Sequence, residues 1–141
     1  MTSRLFLDAP LLVYLNTLAD DARSVYEDYY IGLLTSNIPY TDALVLDEVI
    51  YVSHKKYKVP YRLSIEFIES IILPYVSILN IGEREYMLAV KYILEYMLKP
   101  SDAIHLAVMK NNNIDIIVSE DKDYDKIQDT KRIWLKQKPY Q

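Results

Sequence analysis

The chain contains no cysteine, which excludes disulfide staples and any thiolate metal site. Glycine is nearly absent too, at two residues, and this scarcity predicts few loops that need a positive φ. No apolar run is long enough for a bilayer. The N-terminal "MTSRLFLDAPLLVYL" is broken by Asp8 and Pro10, and "IILPYVSILNI" is short and contains Pro74. No small-residue cleavage site follows the first run, so it does not read as a secretory signal. The expected location is therefore the cytoplasm, with no membrane partner. Strong charge of either sign is also missing. A net charge of −4 argues against wholesale wrapping of nucleic acid while leaving room for a local basic surface. What remains is a chain of 141 residues, 51% hydrophobic, with 14 tyrosines. That is enough for one domain, 1–141, with a real core.

Short apolar runs alternate with amphipathic stretches. "RLFL" (4–7) reads as a buried strand, and "PLLVYLNTL" (10–18) as a helix with Pro10 in its first turn. Residues 21–37 have helical length and apolar spacing at Val25, Tyr29, Leu33 and Leu34. "TDALVLDEVIYVSHKKY" (41–57) predicts a helix with Thr41 as N-cap. Further helices are expected at 61–72, 83–98 and 101–113, the last capped by Ser101 or Asp102. Strands are expected at 75–81, 114–118 and 132–135, with a helical turn at 125–130. Strands separated by helices, and continuous apolar strands such as "IDIIV", predict an α/β fold with a parallel sheet covered on both faces. Ligands of such sheets bind beyond the carboxyl ends of the strands.

Acids stand at those ends. "RLFLD" and "IIVSED" each place a carboxylate just past a buried strand. If the two strands are parallel neighbours, Asp8 and Asp121 converge on one rim. Like charges held together repel, and a divalent cation relieves them. All-oxygen ligation selects Mg²⁺ or Mn²⁺ over zinc. Two helical acids can complete the cluster: Glu48, on an otherwise apolar stripe with Leu44 and Val52, and Asp102, at the start of "SDAIHLAVM". Asp123 is the next candidate, whereas Asp47 is expected in solvent. The plain alternatives are a loop start for Asp8, an N-cap for Asp102 and a solvated turn for 120–125. A calcium loop is excluded, because counting from Asp121 puts Lys126 where glycine is needed and Arg132 where glutamate is needed. A phosphatase working through an aspartyl phosphate is excluded as well, since Pro10 stands where its second acid belongs.

The ordered set "LFLDAPLLVYL", "ALVLDEVIYV", "SDAIHLAVM" and "IIVSEDKDYDKI" closely resembles the PIN-domain ribonucleases, and within them the VapC-type toxins. The resemblance spans essentially the whole chain. It implies a single PIN-like domain with a central parallel sheet of four to five short strands flanked by helices. It implies the family's acids at Asp8, Glu48, Asp102 and Asp121, an additional metal-site acid at Asp123, and Ser119 as the small supporting hydroxyl. It further implies a Mg²⁺- or Mn²⁺-dependent endoribonuclease, commonly a homodimer and often inhibited by an antitoxin. One departure stands out: Ala9 and Pro10 replace the polar residues that usually follow the first acid.

Metal-assisted hydrolysis needs no protein nucleophile, in keeping with the lack of cysteine. His105 is read as structural or surface. An RNA substrate needs positive surroundings, which "HKKYKVPYR" (54–62) offers through Lys55, Lys56, Lys58 and Arg62 among stacking rings. Lys131, Arg132, Lys136 and Lys138 form a second basic segment. Tyrosines 26, 29 and 30, and 86, 92 and 96, are expected mostly in the core, with some on an interface. The competing reading is a PIN-like module that binds RNA or assembles without cleaving.

Overall fold

The computed structural model describes residues 2–135, and Lys136 and Lys138 lie outside them. Five strands form one all-parallel sheet: β1 (Ser3–Leu7), β2 (Asn37–Asp42), β3 (Ser77–Leu79), β4 (Ile116–Val118) and β5 (Lys131–Ile133), in the order β3-β2-β1-β4-β5. Six helices connect them: α1 (Ala9–Thr17), α2 (Asp20–Ser36), α3 (Ala43–Tyr57), α4 (Tyr61–Phe67), α5 (Glu83–Tyr96) and α6 (Pro100–Asn111). A π-helical turn, Ile68–Ile72, extends α4, and a 3₁₀ turn, Lys122–Lys126, follows β4.

The sheet is buried where it must be. Leu5, Phe6 and Leu7 of β1 and Ile117 and Val118 of β4 are sealed from solvent, with Leu11 and Leu12 of α1 and Leu106 and Met109 of α6 packed among them. Both edge strands are only three residues long, which limits the unpaired backbone offered to other chains. Asp115 fills the one strand-start position in "IDIIV" that remains exposed.

Three expectations need correction. Strand β2 was hidden by Pro39, because proline within a run argues against a strand interior. Here Pro39 pairs with Leu5 between two neighbours. Its discovery moves the start of α3: Asp42, not Thr41, is the N-cap, accepting from the Val45 amide at 3.0 Å. Thr41 instead donates its hydroxyl to the Leu7 carbonyl at 2.9 Å. Likewise Lys99 precedes α6, and Asp102 lies inside its first turn rather than capping it. Glycine scarcity did not mean few left-handed residues. Lys58, Met97, Asn113 and Asp129 all have positive φ, while neither glycine does. Of the tyrosines, Tyr30 is buried and Tyr26, Tyr29, Tyr92 and Tyr96 pack partly against the core, but Tyr86 is 63% exposed.

Candidate active site

The chain builds β1, β2 and β3 outward in one direction and then returns to lay β4 on the other side of β1. That reversal makes the crevice beyond the ends of β1 and β4 the switch point of the sheet, the favoured place for a ligand. Leu7 pairs with Val118 there, and the Asp8 amide donates to the Val118 carbonyl at 3.1 Å. Asp8 and Ser119 thus stand side by side. The Ser119 hydroxyl donates to Asp8 Oδ2 at 2.6 Å, and Asp8 Oδ1 accepts from the Ala9 amide at 2.8 Å. Polar support for Asp8 therefore comes from β4, where Ala9 and Pro10 supply no side-chain donor.

Three of the four principal acids are strained as charges. Burial raises the Asp8 carboxyl above its ordinary value, and His105 and Ser119 only partly offset this. Burial, then Asp8, raises Glu48, which lies half-buried on the second turn of α3. Asp102 is pushed up to about 6 by burial first, then by Asp8 and Asp121. Asp121 follows β4, and its Oδ1 accepts from the Asp123 amide at 2.9 Å. The fold thus sets Asp8, Glu48, Asp102 and Asp121 within one field at the switch point. Asp123 is exposed, and its backbone rather than its carboxylate reaches Asp121. Asp47 is exposed.

His105 is not at the surface. It is fully buried, with Nδ1 2.7 Å from Asp42 Oδ2 and its ring 5.5 Å from that of Phe6. Burial alone would lower its pKa, but Asp42, Asp8 and Asp102 together raise it. Nε2 faces Asp8 Oδ1 at 4.0 Å and has no hydrogen-bond partner. Tyr124 is the other buried group here without a partner of ordinary geometry, although its phenol lies near enough to Asp102 to ease that carboxyl downward. Its own pKa is driven well up by burial and then by Asp8 and Asp102. Asp42 and Tyr124 were missed in the sequence. An acid immediately before a helix was the signal for Asp42, and an aromatic among acids was the signal for Tyr124.

The donor set suits a hard divalent cation: carboxylate oxygens, mutual repulsion, and no thiol. Among the described residues no three His, Asp or Glu side chains are already drawn together as a closed metal centre. The residues fit such an ion by chemistry and charge.

The family model of the PIN domain matches residues 5–129. The chain belongs to the PIN domain family. Among solved structures, this PIN domain is similar to the Mycobacterium tuberculosis toxin VapC20, which cleaves the sarcin-ricin loop. The two are 14% identical, over 86% of this chain and 92% of that one, at a TM-score of 0.71. VapBC2 from Rickettsia felis, bound to a DNA fragment from its promoter, is 15% identical over 93% and 98% of the chains, at 0.70. A toxin-antitoxin complex from Klebsiella pneumoniae is 21% identical over 91% and 95%, at 0.68. These likenesses speak for the fold. Among curated proteins, none matches the sequence. Among the described residues, no helix of this PIN domain is long and apolar enough to cross a membrane.

Proposed function

We propose that the whole chain, 1–141, is one metal-dependent endoribonuclease domain of the VapC toxin type, restrained in the cell by an antitoxin protein. The observation that carries this reading is the set of carboxyls at the switch point whose pKa values are raised by burial and by one another. Folding them together is unfavourable unless a cation is part of the working protein. Asp8, Glu48, Asp102 and Asp121 would hold Mg²⁺ or Mn²⁺, with Asp123 at the margin. When bound, such an ion activates water and stabilises charge on the phosphate. The protein's own residues do the rest. Ser119 and the Ala9 amide fix the Asp8 carboxylate, the Asp42–His105 pair braces α6 against β2, and burial of this rim limits stray water.

RNA would approach over Lys55, Lys56, Lys58 and Arg62. These are exposed beside Tyr57 and Tyr61, a mixture that suits phosphate and stacked bases. Arg62 is shared with Glu66 at 3.6 Å, and Lys55 lies over the Tyr51 ring, so Lys56 and Lys58 are the more available charges. A homodimer and a cytoplasmic location complete the reading; light scattering that shows a monomer at high concentration would remove the dimer.

The second reading, an RNA-binding or assembly module, is favoured by Ala9 and Pro10. One experiment separates the two. Parent and Asp121→Asn are incubated with labelled single-stranded RNA, with Mn²⁺ and with chelator. A nuclease gives cleavage by the parent alone, lost on chelation, with RNA binding kept in the variant. Equal cleavage by both proteins removes the case for this site. No cleavage by either, across varied RNAs, selects the module.

A further inference from the structure

We propose that a second cleft beside the carboxylates seats one nucleotide of the single-stranded RNA, its base against Tyr26 and Trp134 and its phosphate on Lys122 and Lys131. The proposal rests on the ribonuclease reading and gives that site a subsite. The cleft has a volume of about 750 Å³ and is bordered by Tyr26, Glu120, Lys122, Lys131, Arg132 and Trp134, among others. Such a volume is ample for a nucleotide.

Its wall is continuous with the acid rim. Glu120 directly precedes Asp121. Arg132 donates through Nη1 to the Ser119 carbonyl at 3.1 Å, and Ser119 in turn holds Asp8. A strand leaving the acids would therefore meet this cleft next.

The charges at the cleft are unequal in availability. Arg132 is committed, gripping both Asp125 oxygens at 2.9 and 3.1 Å. Lys122 and Lys131 are exposed, and neither forms an ion pair among the described residues. Two free lysines beside an acidic rim, in a chain of net charge −4, are what a phosphate next to the acids requires.

The rings are held in place. Trp134 meets Tyr29 edge-on at 6.0 Å and lies 6.2 Å from Tyr26, which in turn lies 4.8 Å from Tyr14. The Tyr14 hydroxyl donates to Glu120 at 2.6 Å, tying the cluster to the rim. A purely structural cluster closing α1 and α2 over β5 accounts for Tyr14 and Tyr29. It does not account for Tyr26 and Trp134 bordering an open cleft with lysines at its mouth. A ring pair of this kind accepts any base by its face.

Trp134 is the sole tryptophan, so its emission reports on this cleft alone. Full-length protein in chelator, which blocks cleavage, is titrated with a fluorescein-labelled RNA hexamer of mixed sequence. Binding is read by polarisation, and tryptophan quenching by an unlabelled copy. The expected result is saturable quenching that follows binding. Lys122→Glu with Lys131→Glu should weaken binding roughly tenfold and reduce the slope of log affinity against log salt by about 1.4, at about 0.7 per phosphate contact. With Mn²⁺ the same pair should raise KM and leave kcat nearly unchanged. Lys91→Glu, an exposed lysine on α5, should bind as the parent does. Binding without quenching, unchanged in the double variant, overturns the subsite and leaves the ribonuclease reading standing. A parent that neither binds nor cleaves RNA overturns both.

Discussion

Asp102→Asn should make the metal-free protein more stable at neutral pH. Asp102 sits in the first turn of α6, its carboxyl pushed up to about 6 from an ordinary 3.8 by burial and then by Asp8 and Asp121. That gap corresponds to at most about 3 kcal/mol of opposition to folding at pH 7. Asp102 is only half-buried, so solvent screening removes roughly half of this. A carboxylate near a helix N-terminus also gains about 0.5 kcal/mol, which asparagine gives up. The net expectation is a gain of about 1 kcal/mol, or about 2–4 °C in Tm for a chain of this size. The sign with pH follows from the direction of the shift. The folded state holds this proton more tightly than the unfolded state, so the penalty is full above pH 6, shrinks as pH falls, and is gone below 3.8. At pH 4 the variant should therefore lose its advantage and fall slightly below the parent. Saturating Mn²⁺ should reverse the order at pH 7, because only the parent keeps the full set of acids to bind it. Thermal melts in chelator at pH 7 and pH 4, and in Mn²⁺ at pH 7, make the comparison. A variant less stable than the parent by the same amount at both pH values in chelator would refute the reasoning and return Asp102 to an ordinary helix acid.

Three further outcomes are expected. Ser119→Ala removes the 2.6 Å donor to Asp8. It should cost about 1–2 kcal/mol and, by letting the Asp8 pKa climb further, move the acid limb of the cleavage pH profile upward; an unmoved limb would dissociate Asp8 from that limb. Asp42→Ala leaves His105 without its 2.7 Å partner in a fully buried site, so urea unfolding should show a loss of about 3 kcal/mol or more. A loss below about 1 kcal/mol would mean that the pair braces nothing. Met97→Gly should stabilise by about 1 kcal/mol, since Met97 caps α5 at φ 56 with 80% exposure; a loss on thermal melting would point to a partner for its side chain.

The sequence by itself determined the element types and the acids. "RLFL" and "IDIIV" are apolar and short, which suits strands buried on both faces, and the strong period of 83–96 made α5 unmistakable. Asp8 and Asp121 were visible because a carboxylate abutting such a strand breaks the pattern locally. Strand order, in contrast, is a property of the whole sheet. Only the tertiary structure put β4 beside β1, and with it Ser119 against Asp8 across 111 positions. Pro39 concealed β2 because local propensity counts its missing donor, while the fold tolerates it within a parallel ladder. With β2 hidden, Asp42 looked like part of a helix start, and its bond to His105, 63 positions away, had no local trace. The raised carboxyls of Asp8, Glu48 and Asp102 likewise belong to no segment. Their pKa values are set by burial and by one another's charge, and both arise only when distant strand and helix ends meet on one rim.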